Sequence, residues 1–243
     1  MSENIFLSVI VPYHKSCGNI RSKIESLMFF LASKPFISEI FVMSGSDEMF
    51  LDISRNVADK VFLKIHKRSD GLGYTQNEAY LEGFRNARGE WALLLDSDML
   101  TLFPALDMLI SEIDATVDII RSYRINFIRE NPLRKAGSRV MNIIFNVGAK
   151  TRLKDVGSSF SAYRKKIYKK VSDPRFNRYH SFLPFVVSML AEKGKMKEIP
   201  VEIPQKAANP SSYKITGLIC LSFKIFYLKI WSLISRKARK FSL

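Results

Sequence analysis

Residues 71–101 read GLGYTQNEAYLEGFRNARGEWALLLDSDMLT, and this stretch decides the fold. An amphipathic pattern over 71–88 predicts a helix that ends at Gly89. Five apolar residues, 91–95, follow and predict a short buried strand, because a glycine precedes the run and two carboxylates end it. Asp96 and Asp98 therefore end a strand, and ligands of open α/β sheets bind at that edge.

Strand patterns alternate with helical patterns through most of the chain. Runs rich in valine and isoleucine predict strands over 5–12, 37–43, 61–65 and 117–127, and helical spacing follows the first. Further helices are predicted over 104–113, 132–148 and 179–193, with an edge strand over 195–203 that tolerates a proline. The alternation predicts an α/β fold with a mostly parallel central sheet flanked by helices.

The segment 215–234 is nearly long enough to span a bilayer, but Lys224 and Lys229 interrupt it. On a helical wheel its aromatic and aliphatic residues share one half, and its basic residues fall on the other. This pattern is typical of a helix lying in a membrane interface, and a helix docked on its own core is the alternative. We therefore expect a main domain over 1–214 and an amphipathic basic helix over 215–243.

The chain of 243 residues carries a formal charge of +15, which predicts an anionic partner or surface. The sequence contains no aromatic signature of the sheet-type RNA binders, so we favour a membrane surface with anionic lipid over nucleic acid. Two cysteines, far apart, exclude a disulfide framework and fit a reducing compartment. The N-terminal apolar run has no basic leader and predicts a first strand, so we expect a protein that is not exported.

Asp96 and Asp98 are hard oxygen ligands, which predicts Mg²⁺ or Mn²⁺ completed by substrate phosphates, as in a nucleoside diphosphate. A solvated turn is the alternative for an isolated Asp-x-Asp. A dinucleotide turn at Gly71 is rejected, because Gln76 replaces the third glycine that the motif requires. The three histidines stand alone and form no catalytic triad with a serine or cysteine.

Several motifs together resemble the family 2 inverting glycosyltransferases of GT-A fold, and within them the polyprenyl-phosphate sugar synthases. Over roughly residues 5–215 the similarity rests on Val11-Pro12-Tyr13, on Asn77, Gly83, Ala87 and Gly89, on Asp96-Ser97-Asp98, on Asp118 with Arg124, on Arg134 with Ser138, on DVGSSFSAYR at 155–164 and on EIPVEI at 198–203. The chain departs from the family pattern in three places. Leu100 stands where a metal-assisting glutamine is usual, His14 and Lys15 replace Asn and Glu, and Met43 and Ser44 replace acids.

The resemblance implies two half-sites, a donor half over about 1–101 and an acceptor half over about 102–214. The metal would be held by Asp96 and Asp98, and the nucleotide sugar would contact Pro12, Tyr13, Asp47, Gly71, Asn77, Asp96, Ser97, Asp98 and Lys206. The acceptor phosphate would be held by Arg124, Arg134 and Ser138. Arg134 and Ser138 lie four residues apart on one predicted helix face, and a guanidinium suits a phosphate.

The first hypothesis is transfer of a sugar to a polyprenyl phosphate, dolichyl or undecaprenyl, at the cytoplasmic membrane face. A phosphate monoester is already ionised at neutral pH, so this reaction needs no general base. The second hypothesis is transfer to a hydroxyl of a glycolipid or polysaccharide, with Asp155 as the base. The third is a non-catalytic relative. The nucleotide, the sugar and the oligomeric state are not predicted by the sequence.

Overall fold

The computed structural model describes residues 4–13, 20–44, 56–68, 74–125, 139–140, 142–143, 146, 152–173 and 195–202. The strands are β1 (Leu7–Pro12), β2 (Ser38–Ser44), β3 (Asn56–Val57), β4 (Val61–Lys67), β5 (Trp91–Leu94), β6 (Ile119–Arg124), β7 (Ser161–Arg164) and β8 (Met196–Val201). The helices are α1 (Arg21–Ala32), α2 (Gln76–Asn86), α3 (Phe103–Ser111) and α4 (Lys165–Val171). The described residues between 139 and 146 are also helical.

The strands form one sheet of eight, in the order β3-β4-β2-β1-β5-β7-β6-β8. Parallel pairs join β1 to β2 and β5, β2 to β4, and β6 to β8. The short strand β7 is antiparallel to both β5 and β6. The α/β fold with a mostly parallel central sheet is thus confirmed, and β8 is an edge strand as predicted.

The topology brings parts of four strands to one edge of the sheet. Parallel strands β1, β5 and β6 all end there, and β7 begins there because it runs the other way. The loop 152–160 that leads into β7 therefore crosses the same edge between the ends of β5 and β6. Asp96, which follows β5, and Arg124, which ends β6, therefore both contact this loop.

Two helical layers bury the two faces of the sheet. On one face α1 and α3 pack against Val9 and Leu93, and on the other α2 and α4 pack against Ile10 and Leu94. Alternate side chains of each strand enter opposite layers. This is why β1 and β5 read as continuous apolar runs rather than as alternating ones.

Helix α2 is the element that faces the acid-bearing turn. It begins at Gln76, later than the sequence pattern indicated, because Thr75 and Glu78 form a reciprocal capping box. Its other end is closed by Lys169 of α4, whose Nζ donates to the carbonyl oxygens of Phe84 and Arg85 at 3.1 and 2.8 Å. Both ends are therefore fixed.

A buried carboxylate fixes the opposite, amino edge of the sheet. The side chain of Glu39 is fully buried and accepts hydrogen bonds from Ser8 Oγ at 2.7 Å and Lys64 Nζ at 2.6 Å. It also accepts from the backbone N–H of Arg88 at 2.7 Å. Burial alone would raise the pKa of Glu39, but the bonds from Lys64, Arg88 and Ser8 hold that pKa below its ordinary value.

The predicted helices over 179–193 and 215–243, and the proposed boundary at 214/215, lie outside the described residues. Within the described part of the chain, none of the helices has the length and apolar character needed to cross a bilayer.

Candidate active site

The first aspartate sits at a turn and is held from three directions. The strand ends at Leu94, and the N–H of Met99 donates to the carbonyl of Asp96 at 2.9 Å, which closes a turn over 96–99. The carboxylate of Asp96 accepts from Gln76 Nε2 at 2.6 Å and from the hydroxyl of Tyr80 through Oδ1. Its Oδ2 accepts from the hydroxyl of Ser159. These three bonds from described residues occupy three of the roughly four acceptor sites of the carboxylate.

The tyrosine in this cluster is a permanent donor. Tyr80 is 3% exposed, and burial together with the charge of Asp96 raises its pKa well above the ordinary value. It stays protonated across the physiological range and points its O–H at the carboxylate. Tyr80 thereby fixes the orientation of Asp96.

The second aspartate is half-buried beside the first. Burial and then the charge of Asp96 raise the pKa of Asp98, and the charges of Lys23 and Arg124 act in the opposite direction. Two carboxylates that repel each other in a partly desolvated turn favour a bound cation, because it removes the repulsion.

The donor set of this turn fits a magnesium or manganese ion. Within the described residues there is no cluster of three or more His, Cys, Asp or Glu side chains that could hold a metal ion. Mg²⁺ commonly takes only one or two carboxylates and completes its shell with water and substrate phosphates. Asp96 and Asp98 suit that role.

Arg124, at the end of β6, is held in a two-pronged ion pair. Its Nε and Nη2 donate to the two oxygens of Asp155 at 2.6 and 3.0 Å. Gly157 wraps tightly around this pair, since an added Cβ there would lie 2.9 Å from Nη2 of Arg124. Burial alone would raise the pKa of Asp155, but the hydrogen bonds and charge of Arg124 outweigh it and lower that pKa.

Residues 155–160 form a strap between two strand ends. It joins the end of β5, which is followed by the acid turn, to the end of β6, which carries Arg124. One end of the strap meets Arg124 through Asp155, and the other meets Asp96 through Ser159. Between them Ser158 Oγ shares a hydrogen bond of 2.5 Å with Ser122 Oγ of β6. The strap thus connects the two predicted half-sites directly.

The other predicted site residues fall into two groups. Pro12 and Tyr13 lie at the end of β1 beside β5, Asn77 lies in the first turn of α2, and Ser97 lies within the acid turn. Tyr13 is buried among core residues, and its N–H donates to Met43 O at 2.9 Å. Five predicted residues lie outside the described part of the chain: Asp47, Gly71, Arg134, Ser138 and Lys206.

Sequence reasoning missed three donors to Asp96, namely Gln76, Tyr80 and Ser159. Gln76 and Tyr80 are four residues apart, so they share one face of α2, and this spacing was a usable signal. Ser159 lies in the motif at 155–164, but no spacing indicated its contact with Asp96, because only the fold brings it to the end of β5.

Comparison with known proteins identifies a family and a fold. The family model described as Glycosyl transferase family 2 matches residues 8–172. The undecaprenyl-phosphate 4-deoxy-4-formamido-L-arabinose transferase of Salmonella choleraesuis is 26% identical over 221 residues, and that of Edwardsiella ictaluri is 21% identical. Each alignment covers 90% of this chain and 66% of the relative, so the chain spans slightly less than two thirds of the length of these relatives.

Among solved structures, mannosyl-3-phosphoglycerate synthase from Rubrobacter xylanophilus aligns with a TM-score of 0.57 at 12% identity, covering 98% of this chain and 76% of the other. Glucosyl-3-phosphoglycerate synthase from Mycobacterium tuberculosis, in complex with Mn²⁺, UDP and phosphoglyceric acid, aligns with a TM-score of 0.56 at 11% identity, covering 96% and 78%. At such identities the likeness concerns the fold, and it confirms the expected GT-A architecture.

Proposed function

This chain belongs to glycosyl transferase family 2, and we propose that it transfers a sugar from a nucleotide-diphosphate sugar to the phosphate of a polyprenyl lipid at a membrane surface. The names of the curated relatives, which are undecaprenyl-phosphate sugar transferases, support this acceptor. The observation that carries the proposal is the ion pair of Arg124 with Asp155 at the same sheet edge as the acid turn.

The donor half-site is the turn at the end of β5. Asp96 and Asp98 would hold Mg²⁺ or Mn²⁺, which when bound would neutralise the diphosphate leaving group. The Mn²⁺ and UDP of the M. tuberculosis synthase support a metal and a nucleotide donor by analogy of fold. Pro12, Tyr13, Asn77 and Ser97, with Asp47, Gly71 and Lys206 from outside the described residues, would complete the donor contacts.

The acceptor half-site is centred on Arg124, with Arg134 and Ser138 as further phosphate ligands. A phosphate oxygen of the acceptor would attack the anomeric carbon, the bond from that carbon to the diphosphate would break, and the configuration would invert. The nucleophile carries its negative charge already, so no proton has to be removed. This requirement agrees with the state of Asp155, whose carboxylate is bound to a guanidinium and whose lowered pKa makes it a weak base.

Transfer to a hydroxyl acceptor would place the opposite demand on Asp155. That carboxylate would have to leave Arg124 and accept a proton in the transition state, although its pKa is held low. The described geometry therefore favours the phosphate acceptor.

The membrane surface is part of the same proposal. A polyprenyl phosphate resides in a bilayer, and the formal charge of +15 would attract anionic lipid. We assign the contact to the amphipathic segment 215–243, at the cytoplasmic face.

The deciding experiment incubates the protein with labelled nucleotide sugars, Mg²⁺ or Mn²⁺, and vesicles containing undecaprenyl phosphate. We expect a labelled product that extracts into organic solvent, and we expect Arg124→Ala to lower kcat/KM for the lipid at least a hundredfold. Arg85→Ala is the matched control, because Arg85 pairs only with its helix neighbour Glu82 in the described structure and lies on the far end of α2.

Asp155→Asn separates the two acceptor classes. With a phosphate acceptor we expect turnover at saturating lipid to fall by less than about tenfold, since no base is lost. A loss of about a thousandfold or more, or label entering a water-soluble glycan while no lipid is labelled, would refute the phosphate acceptor.

A further inference from the structure

A charged residue lies fully buried beneath the strap 155–160. Arg121 of β6 is 1% exposed and shares its face of the sheet with Ile119 and the apolar layer under α2. The sequence pattern does not single out Arg121, because its strand reads as an ordinary run. Arg121 lies directly below the strap, and the proposed mechanism gives it no role.

The charge of Arg121 is not neutralised by the described residues. No carboxylate among them forms an ion pair with its guanidinium, and Nε has no hydrogen-bond partner. Glu198 is its neighbour across the β6–β8 pair, but Oε1 of Glu198 accepts instead from the N–H of Lys154 at 2.9 Å. A buried cation without a counter-ion is costly, and an apolar side chain would be expected at such a position.

Within the described part of the chain, the side-chain hydrogen bonds of Arg121 all go to the strap. Its Nη2 donates to the carbonyl oxygens of Ser158 at 2.9 Å and Val156 at 3.4 Å. These carbonyls lie between the two residues that reach the half-sites, Asp155 and Ser159. The guanidinium of Arg121 therefore holds the middle of the strap. On one side of this point the strap contacts Arg124 of the acceptor site, and on the other side it contacts Asp96 of the donor site.

We propose that Arg121 is a positioning residue whose buried charge is complemented by the anionic groups of the bound substrates. The inference rests on the proposed function, because that function brings a diphosphate and a phosphate to the two ends of the strap. The residue touches neither ligand. It fixes the strap through two carbonyls and raises the electrostatic potential on both sides of it, where negative charge arrives.

Three substitutions separate the charge from the tether. Arg121→Lys keeps a charge and a donor, Arg121→Gln keeps a donor without the charge, and Arg121→Met keeps neither. The probe is pyrophosphate with Mg²⁺, titrated by calorimetry into the full chain at constant ionic strength. The thermal unfolding midpoint of each variant reports the structural effect separately.

We expect Arg121→Lys to bind Mg²⁺–pyrophosphate within about threefold of the wild type. Arg121→Gln should bind it about tenfold more weakly, the factor that corresponds to roughly 1.4 kcal/mol of lost attraction. Arg121→Lys and Arg121→Gln both keep a hydrogen-bond donor for the strap, so a loss in the Gln variant alone reports the charge, whereas a loosened strap would weaken binding in both. If Arg121→Gln does not fold, Arg121→Met provides the uncharged variant.

The possible results are distinct. Equal affinities of Arg121→Gln and the wild type would overturn the inference and leave the proposed function standing. Equal losses in the Lys and Gln variants would also overturn it, because guanidinium shape rather than charge would then be required. Failure of the wild type to bind pyrophosphate with Mg²⁺ would overturn both the inference and the proposed donor site.

Discussion

Removing the hydroxyl of Tyr80 should weaken the donor site without unfolding the protein. Tyr80→Phe deletes one of the three donors to Asp96 and leaves Gln76 and Ser159 in place. A hydrogen bond to a charged group contributes about 1.5–3 kcal/mol, which corresponds to roughly 10- to 150-fold in an equilibrium constant. Groups that orient metal ligands typically change metal affinity by about 10- to 100-fold. We therefore expect the Mn²⁺ concentration for half-maximal transfer to rise at least tenfold.

The assay measures initial transfer rates over a Mn²⁺ series at saturating donor and lipid. Tyr168→Phe is the matched control, because Tyr168 is fully buried in the same layer and its hydroxyl donates to Gly89 O at 2.6 Å, at the other end of α2. The control should leave the metal dependence unchanged. If Tyr80→Phe required no more Mn²⁺ than the control, the hydroxyl would not orient Asp96 for metal binding and the reasoning would fail.

Three further substitutions test residues that support the sheet and the site. Glu39→Gln should lower the free energy of unfolding by about 1.5–3 kcal/mol in urea titrations, because a neutral amide accepts fewer and weaker hydrogen bonds than the buried carboxylate does. Since the pKa of Glu39 is lowered in the fold, its contribution should be present above about pH 4.5 and be lost as the pH falls through the depressed pKa, an acid loss that Glu39→Gln should not show. Gly83→Ala should destabilise by about 1–3 kcal/mol in the same titrations, since a Cβ would lie 2.4 Å from Cγ2 of Ile10. Gly157→Ala should raise KM for the lipid more than KM for the nucleotide sugar in steady-state assays, because its Cβ would meet Arg124 at 2.9 Å, and an equal rise in both would contradict this assignment.

The sheet and the acid turn were predictable because their signals are local. Residues 91–95 are apolar throughout since both faces of β5 are covered, and Gly89 leaves no room for a side chain, with Ser8 Oγ only 2.7 Å from an added Cβ. Such constraints act on neighbouring positions and leave a readable pattern. Boundaries were less accurate, as for the strand expected over 117–127 that spans 119–124, because capping and sheet ends depend on tertiary contacts.

The internal contacts of the site were not predictable, because they join residues far apart in the chain. Ser159 and Asp96 are 63 positions apart, and Arg124 and Asp155 are 31 apart. The resemblance supplied Arg124 as a phosphate ligand, and the hypothesis of a hydroxyl acceptor named Asp155 as its base, yet only the fold shows that the two side chains bind each other. That contact changes the interpretation of both residues.

The departure at Leu100 has a physical explanation in the turn itself. After Asp96 the chain bends so that Met99 and Leu100 enter the core, where Leu100 is fully buried, and an amide there would be a buried polar group. An amide is nevertheless present at the carboxylate, because Gln76 donates to Asp96 from the first position of α2. Leu100, at the position where the family usually has a glutamine, thus packs in the core of this chain. Helix α2, in the layer on the other face of the sheet, supplies the amide of Gln76 to the acid turn. The residues next to Asp96 in the sequence therefore do not determine which groups surround its carboxylate, because α2 and the strap also bring donors to this edge of the sheet.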